Sequence, residues 1–461
     1  MPTECSQLQF QFQDHFSKKV VADFEGGEVT SDGGALLLRE ADLSRSLTER
    51  FVDCFRDGRD SERTQHSLPE MIRQRVYGLA LGYEDVIDHE ELRQDPLFTV
   101  LAGREDFAEP LAGKSTLNRM EVSASRKDRN QRYHRIDFSL ARFHALCRAL
   151  FLESFEDSPA EVILDLDATD TPTHGDQEET FFHGYYDHYC YLPLYIFCGD
   201  HLLHAELRPA NIDAAAGSLE ALAPIVEEIK QRWPNCRIIV RGDSGFCRDW
   251  LMQWCEERGV SYILGLAKNE RLKKICARKI EKARRRFLQT GEPVRFYKNF
   301  GYRTRKSWSA RRRVVAKCEH LAKGENPRFI VTNLLSCEIN SIDLYENGYC
   351  PRGDMENRIK EQLDLFGDRL SCSAMAANQL RLAFSAIAYT LMGLVREALR
   401  GTALERARPE TIRLKLLKIG ARMKRSVRRF VLSFASGYPW KYLFTHCYSA
   451  LRTKDPPGQP A

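Results

Sequence analysis

No run of about 18 apolar residues occurs in this 461-residue chain, so neither a transmembrane helix nor a membrane partner is expected. The opening MPTECSQLQFQFQD lacks a basic stretch followed by an apolar one, and no secretory signal is expected. The 14 cysteines are scattered singly, with no C-x-x-C pair. That argues against a zinc cluster or a disulfide framework and for free, buried thiols in a reducing cytoplasm. The phosphate-loop pattern G-x-x-x-x-G-K-[ST] is missing too. AGKST at 112–116 is preceded by Glu109-Pro110 where the first glycine is needed, so no nucleotide cofactor is expected. No internal repeat is found.

What remains is an ordinary soluble composition, 43% hydrophobic and 29% charged, with enough apolar residues for a core. The length suggests two or three domains at roughly 150 residues each. The net charge of +5 is unevenly placed. Lys268 to Lys317 holds 19 Lys/Arg against 3 Glu, a local +16, and Ala403 to Phe430 holds 10 against 2, a local +8. The rest of the chain is therefore at −19. Two basic segments on an otherwise acidic protein point to a polyanionic partner, nucleic acid, with solvated helix faces as the alternative.

Residues 1–158 read as an all-helical domain. SLPEMIRQRVYGLALGY has Ser67 as cap, Pro69 in the first turn and Glu70 three residues on, a capping box. GKSTLNRMEVSAS looks like a short helix capped by Ser115, and RYHRIDFSLARFHALCRALFLESF like a long one. The pattern then changes to α/β. EVILDLD is a short apolar strand, and YLPLYIFCGDHLLHAELRPA reads as a hairpin turning at Gly199-Asp200. AAAGSLEALAPIVEEIKQRW is an amphipathic helix, RIIVRGD a second buried strand, RDWLMQWCEERG a helix stopped by Gly259, and VSYILGLA a further strand. From 268 to 327 the chain turns basic and loses this alternation, which suggests an insert. RFIVTNL, MENRIKEQLDLFG and AANQLRLAFSAIAYTLMGLVREAL supply a strand, a helix and a long packed helix. C-terminal helices over 401–461 and a disordered TKDPPGQPA tail are expected.

The strand VILDLDATD ends in carboxylates. Side chains alternate along a strand, so Asp165 and Asp167 share a face. Asp243 closes the second strand at VRGDSGF. Carboxylates gathered at neighbouring strand ends repel each other unless a cation lies between them. Hard divalent ions suit such oxygen ligands, and two of them can activate an attacking oxygen and stabilise a leaving one. Each aspartate taken alone is equally a cap or turn former, which suits Asp170 best. A third acid is sought in YCPRGDMENRIKEQL: Asp354, Glu356 or Glu361. His174, His183 and His188 are loosely spaced and read as polar loop contacts, in a stretch (GDQEETFFHGYYDHY) that borders the same strand.

LDLDATD, RGDSGF and ENGYCPRGDMENRIKE, in this order, resemble the DDE transposases of bacterial insertion sequences, and GKSTLNRME is similar to one such group, the insertion-sequence family 1380 group. The resemblance is firmest from 161 to 400. It implies an RNase H-like mixed sheet with flanking helices, and Asp167, Asp243 and Glu356 holding two Mg²⁺ ions, with Mn²⁺ as substitute. Asp167 is preferred as first ligand because Ala168-Thr169 follow it, similar to the family's Asp-x-Thr; Asp165 is the alternative. A related branch has a Tyr-Arg-Glu-Lys signature, matched at Tyr349, Arg352 and Glu356. Its lysine position holds Leu363, and Lys360 one turn after Glu356 is the candidate replacement. The same branch carries a strand-rich insert before the glutamate. FYKNFGYRTRKSWSARRR lies there, so Tyr302, Arg303, Arg305, Lys306, Trp308, Arg311, Arg312 and Arg313 are expected to hold phosphates and stack an unpaired base, with packing inside the insert as the alternative. Arg352 also suits a bidentate phosphate contact on chemical grounds.

The expected organisation is 1–158 binding DNA ends, 159–267 and 328–400 as the two parts of the catalytic core, 268–327 as the basic insert, and 401–461 as C-terminal helices and tail. The implied activity is cleavage at terminal inverted repeats and strand transfer into target duplex DNA, by a homodimer on DNA, in the cytoplasm and on the nucleoid. A nuclease that does not join, or a DNA-binding derivative with a dead site, are the alternatives.

Overall fold

The computed structural model describes residues 9–123 and 135–452. They form two compact units, one of 53–56, 121–123 and 135–386, the other of 9–52, 57–120 and 387–452. These differ from the segments read from the sequence: the C-terminal stretch shares a unit with the N-terminal one, and the basic stretch belongs inside the larger unit.

The larger unit is built on a nine-stranded mixed sheet. Its strands are β1 (Glu161–Ala168), β2 (Leu194–Cys198), β3 (His201–Glu206), β4 (Arg237–Gly242), β5 (Ser261–Leu266), β6 (Val294–Tyr302), β7 (Arg312–Leu321) and β8 (Arg328–Thr332). The order is β3-β2-β1-β4-β5-β8-β7-β6, with Gly324–Glu325 adding a short ninth strand beside β7. Only β1, β4 and β5 run parallel to one another; the other pairings are antiparallel. The helices are α1 (Leu140–Glu153), α2 (Ser218–Arg232), α3 (Asp249–Glu257), α4 (Glu270–Thr290), α5 (Gly353–Leu363) and α6 (Met375–Glu397). The last of these runs on from the larger unit into the other.

Strand alternation decides what each sheet face carries. Val162, Leu164 and Leu166 of β1, Ile238 and Val240 of β4, and Tyr262 and Leu264 of β5 join one core with Leu222, Ile225, Leu251 and Leu272 from the helices. The opposite face is smaller. Ile239, Ile263, Val315 and Ile330 pack there with Leu344 and Tyr345, and Ile163 lies against them. Moving toward the carboxyl ends on this second face, Ile163 gives way to Asp165 and then Asp167, and Ile239 to Arg241 and then Asp243. The parallel strands therefore change from apolar to charged as they reach one edge, where open α/β sheets place their ligands.

Two expectations are corrected here. The 268–327 stretch is regular: α4 has 21 residues, capped by Asn269, and β6 and β7 extend the central sheet. High charge hid the helix, because its fully buried stripe is only Leu272, Cys276, Ile280 and Ala283, flanked by the half-buried Ile275 and Phe287. The N-terminal region is not all helical. It contains the hairpin Phe10–His15/Lys18–Ala22 and short strands at Val29–Thr30, Phe55–Asp57 and Ile136–Phe138. The last of these takes the start of the long helix read from RYHRIDF, so that α1 begins after Ser139, whose hydroxyl accepts from Arg142 N.

In the smaller unit the Ser67 cap is present, accepting from Glu70 N at 3.3 Å, and Gly82 ends that helix at φ 95°. Glu70 does not complete a box; its carboxylate meets His66 and Arg104 instead. Lys114 already lies in the helix that runs to Ser123, so Ser115 is a first-turn residue rather than its cap. The basic 421–434 stretch is a hairpin, not a helix, and adds Val29–Thr30 as a third strand. Gly34 lies so close to the Leu416 backbone that no side chain would fit, which ties the two ends of the chain together. The TKDPPGQPA tail, from 453 on, lies outside the described residues. No disulfide joins the 13 described cysteines.

Candidate active site

Asp167 sits near the end of β1, Asp243 immediately after β4, and Glu356 in the first turn of α5. Arg352, just before α5, ties them together. Its Nη1 donates to Asp167 Oδ1 at 3.4 Å and its Nη2 to Glu356 Oε1 at 3.1 Å. Burial alone would weaken the Arg352 cation, but Asp167, Tyr349, Asp243 and Glu356 together raise its pKa. Burial pushes the Asp167 carboxyl up to about 6; Arg352 opposes this, and Asp243 and Glu356 add to it. The acids therefore sense one another across one shared site. Asp243 is steadied by Gly245 N, which donates to Oδ1 at 2.8 Å and bends the chain away after β4.

Asp165 faces the same side as Asp167 but one step deeper, and its two oxygens are taken by Arg241. Nε and Nη2 donate at 2.5 and 2.7 Å, a bidentate pair made possible because Asp165 and Arg241 are opposite each other in the β1–β4 register. The third arm of Arg241 donates to Gly348 O at 2.7 Å. The buried pair thus fastens the 344–349 turn, which leads directly to Arg352 and Glu356, onto the sheet. This assigns Asp165 a structural bond and leaves Asp167 as the strand-end carboxylate at the site.

Among the third-acid candidates, Glu361 is buried and bonded by Arg358 at 2.6 Å, and Asp354 is exposed. Glu356 alone of the three shares Arg352 with Asp167. Lys360 lies exposed one turn beyond Glu356, and Leu363 is exposed as well. Tyr349 is half-buried; burial, together with Asp243, raises its pKa against the pull of Arg352. Its hydroxyl fits because residue 265 is glycine. A Cβ there would stand 2.6 Å from Tyr349 Oη and 2.8 Å from Ser244 N.

Two residues at the site were not singled out in the sequence. Arg241 has no motif of its own, and only strand pairing shows its partner. Tyr186 lies in the GDQEETFFHGYYDHY stretch, donates weakly to Ala168 O at 3.4 Å, and is pushed up to about 12 by burial and by Asp170, Asp167 and Asp243. Asp170 itself pairs with His188 Nε2 at 2.8 Å. His183 packs against Tyr186.

In the expected DNA-holding hairpin the two aromatic rings and Arg312 are turned inward, while Arg303, Arg305, Lys306 and Arg311 stay exposed. Tyr302 and Trp308 are each 5% exposed and pack edge-to-face at 5.6 Å within the main core, so neither offers a ring face to a base. Arg312 is buried against Glu256 and Asp249, with bonds at 2.6 Å to each. Arg313 donates to the carbonyls of Leu334 and Ile339. Arg303 donates to Trp308 O at 3.1 Å, and Arg311 lies over Gly301. Arg305 and Lys306 stand exposed at the hairpin tip. The sequence shows the charges but not the carboxylates and carbonyls waiting for them across the sheet.

The acids supply only hard oxygen donors, the chemistry a divalent magnesium or manganese ion takes. In the present arrangement Arg352 holds oxygens of Asp167 and Glu356 that such an ion would use, and no group of three His, Cys, Asp or Glu is gathered tightly enough to hold a metal among the described residues. No helix among the described residues is long and apolar enough to cross a membrane.

Comparison with known proteins gives one family match, to the family described as Transposase DDE domain group 1, over residues 12–456. No curated protein matches. Among solved structures the chain is similar to the cryo-EM structure of a piggyBac transposase synaptic complex with hairpin DNA, at 11% identity and a TM-score of 0.39, covering 92% of this chain and 83% of that one.

Proposed function

Because the chain belongs to the Transposase DDE domain group 1 family, we propose that Asp167, Asp243 and Glu356 are the acids of a DNA transposase. The observation that carries this is Arg352, which bonds Glu356 one helical turn on and Asp167 185 positions back in the sequence, at the carboxyl edge of the parallel strands. The β3-β2-β1-β4-β5 portion of the sheet, antiparallel then parallel, supports reading this region as RNase H-like.

The substrate is double-stranded DNA ending in an insertion sequence's terminal inverted repeats. In the first step a water oxygen attacks the phosphorus at the element's end and the 3′ oxygen leaves as a free hydroxyl. That hydroxyl then attacks a phosphodiester of target DNA, displacing another 3′ oxygen and joining the strands. Asp167, Asp243 and Glu356 would hold two Mg²⁺ ions, with Mn²⁺ able to substitute, which when bound supply charge neutralisation and a more acidic attacking oxygen. Burial and the neighbouring acids hold the Asp167 carboxyl up at about 6 when no cation is bound, and a cation between the acids would favour its charged form. Arg352, already poised between two acids, turns its guanidinium to a non-bridging phosphate oxygen. Tyr349 fixes the approach of that arginine, and Lys360 takes the terminal phosphate in place of the missing signature lysine. Bringing two ends together implies a homodimer on DNA, in the cytoplasm of a bacterial cell.

The test is a labelled duplex carrying the element's own end, incubated with Mg²⁺ or Mn²⁺. Wild type is expected to cleave and join, and Asp167→Ala, Asp243→Ala and Glu356→Ala to bind without cleaving. Cleavage without joining would mark a nuclease. Binding with no metal-dependent cleavage would mark a dead-site derivative. Activity surviving Asp167→Ala would remove that residue from the acid set.

A further inference from the structure

With Tyr302, Trp308 and Arg312 of the 302–313 hairpin turned inward, a second positive surface of the larger unit gains weight. The outward face of α4 carries Lys274, Arg278, Lys282 and Arg286, four exposed cations at successive four-residue steps. Each step brings neighbours together on a helix surface, so the three adjacent pairs are like-charge pairs costing about 0.2–0.5 kcal/mol each. The two glutamates of α4 do not neutralise them. Glu270 pairs with Lys273, and Glu281 with Arg284 and Arg285. None of the four has a carboxylate ion-pair partner among the described residues. The helix therefore holds a repulsive row of charge outside its buried stripe, which is Leu272, Cys276, Ile280 and Ala283.

The row borders an open groove of about 650 Å³ whose walls include Arg278, Lys282, Arg285, Arg286 and Phe296. Phe296 is its aromatic ring, and Lys282 and Lys279 cover that ring at 4.7 and 5.8 Å. A base has no bare ring to stack on here, and the polar groups of the groove other than its cations are Gln289 and Glu281, whose carboxylate is already paired with Arg284 and Arg285. The row of four spans twelve residues, about 18 Å at 1.5 Å per residue.

We propose that this face of α4 is a phosphate track for double-stranded DNA, gripping the backbone without regard to base sequence. The proposal rests on the transposase reading for its choice of polyanion, and it assigns DNA holding to a helix outside the acid site. Backbone contacts position a duplex, whereas base contacts specify it. The track thus serves flanking or target DNA as readily as the element's end.

The experiment uses the full chain with Lys274→Gln, Arg278→Gln, Lys282→Gln and Arg286→Gln combined. Glutamine keeps helix propensity, and the change removes repulsion, so the fold is retained. Affinity is measured over about 50 to 200 mM salt on two duplexes, one carrying the element's end and one of unrelated sequence. The salt slope is expected to fall by about 3.6, at about 0.9 per phosphate contact, equally on both duplexes. The half variant, Lys282→Gln with Arg286→Gln, is expected to give about half that change. An unchanged slope on both duplexes overturns the proposal, and so does a loss confined to one of the two sequences. Metal-dependent cleavage by wild type is scored in the same samples. A reduced slope without any cleavage would keep the track and remove the transposase reading; cleavage with an unchanged slope would do the reverse.

Discussion

Replacing Asp167 with asparagine should make the folded protein more stable at high pH, by an amount the site itself sets. Burial and the neighbouring acids raise the Asp167 carboxyl from an ordinary 3.8 to about 6. A carboxyl whose folded pKa is raised favours folding while it is protonated and loses that contribution as the pH climbs through the folded value. The shift of roughly two units corresponds to about 3 kcal/mol lost by the wild type as the pH rises from about 3 to about 8. Asparagine has the same shape and no charge. Its advantage over wild type should be about 3 kcal/mol at pH 8, about 1.5 at pH 5 and about 0.5 at pH 4. Denaturant unfolding followed by tryptophan fluorescence suits the measurement, because Trp233, Trp250, Trp254 and Trp308 all lie in the larger unit and only Trp440 in the other. An asparagine variant less stable than wild type at pH 8, or a gap that does not change with pH, would refute the electrostatic account of this site.

Four further outcomes are expected. Mg²⁺ at about a hundred times its dissociation constant should stabilise wild type by about 2.7 kcal/mol and Asp167→Asn far less; equal stabilisation in both would place the ion elsewhere. Asp165→Ala leaves Arg241 buried without its partner and should cost about 3–5 kcal/mol, read as a lower denaturation midpoint; wild-type stability would mean the Asp165–Arg241 pair is not the clamp described. Gly265→Ala should cost about 1–3 kcal/mol by overpacking and slow cleavage, because the new methyl meets Ser244 N as well as Tyr349; Tyr349→Phe should recover only part of the stability, and full recovery would show that the backbone contact is harmless. Trp308→Ala should lower stability by about 3–5 kcal/mol, since the ring is core; a fully stable variant defective only in DNA binding would restore the stacking role read from the sequence.

The sequence by itself determined the elements that have a strong local signal. EVILDLD, RIIVRGD and VSYILGLA are compact apolar runs, and each forms a strand of the central sheet. Ser67 and Gly82 mark both ends of their helix because capping is chemistry between residues three or four apart. Asp167, Asp243 and Glu356 could be named as candidates because carboxylates at strand ends and in a helix's first turn are visible in the chain. Tertiary structure decided what each charge is spent on. Asp165 and Asp167 look equivalent in LDLD, but only the first is opposite Arg241, a partner supplied by strand register 76 residues away. Tyr302, Trp308 and Arg312 read as a DNA surface until the sheet turned them against Asp249, Glu256 and the main core. Conversely, α4 was hidden as a helix because charge dominates its sequence, and its exposed row appeared only once four residues were seen to bury. Local patterns record backbone preference and period; the pairing of buried charges depends on contacts between distant segments, which no short window of sequence contains.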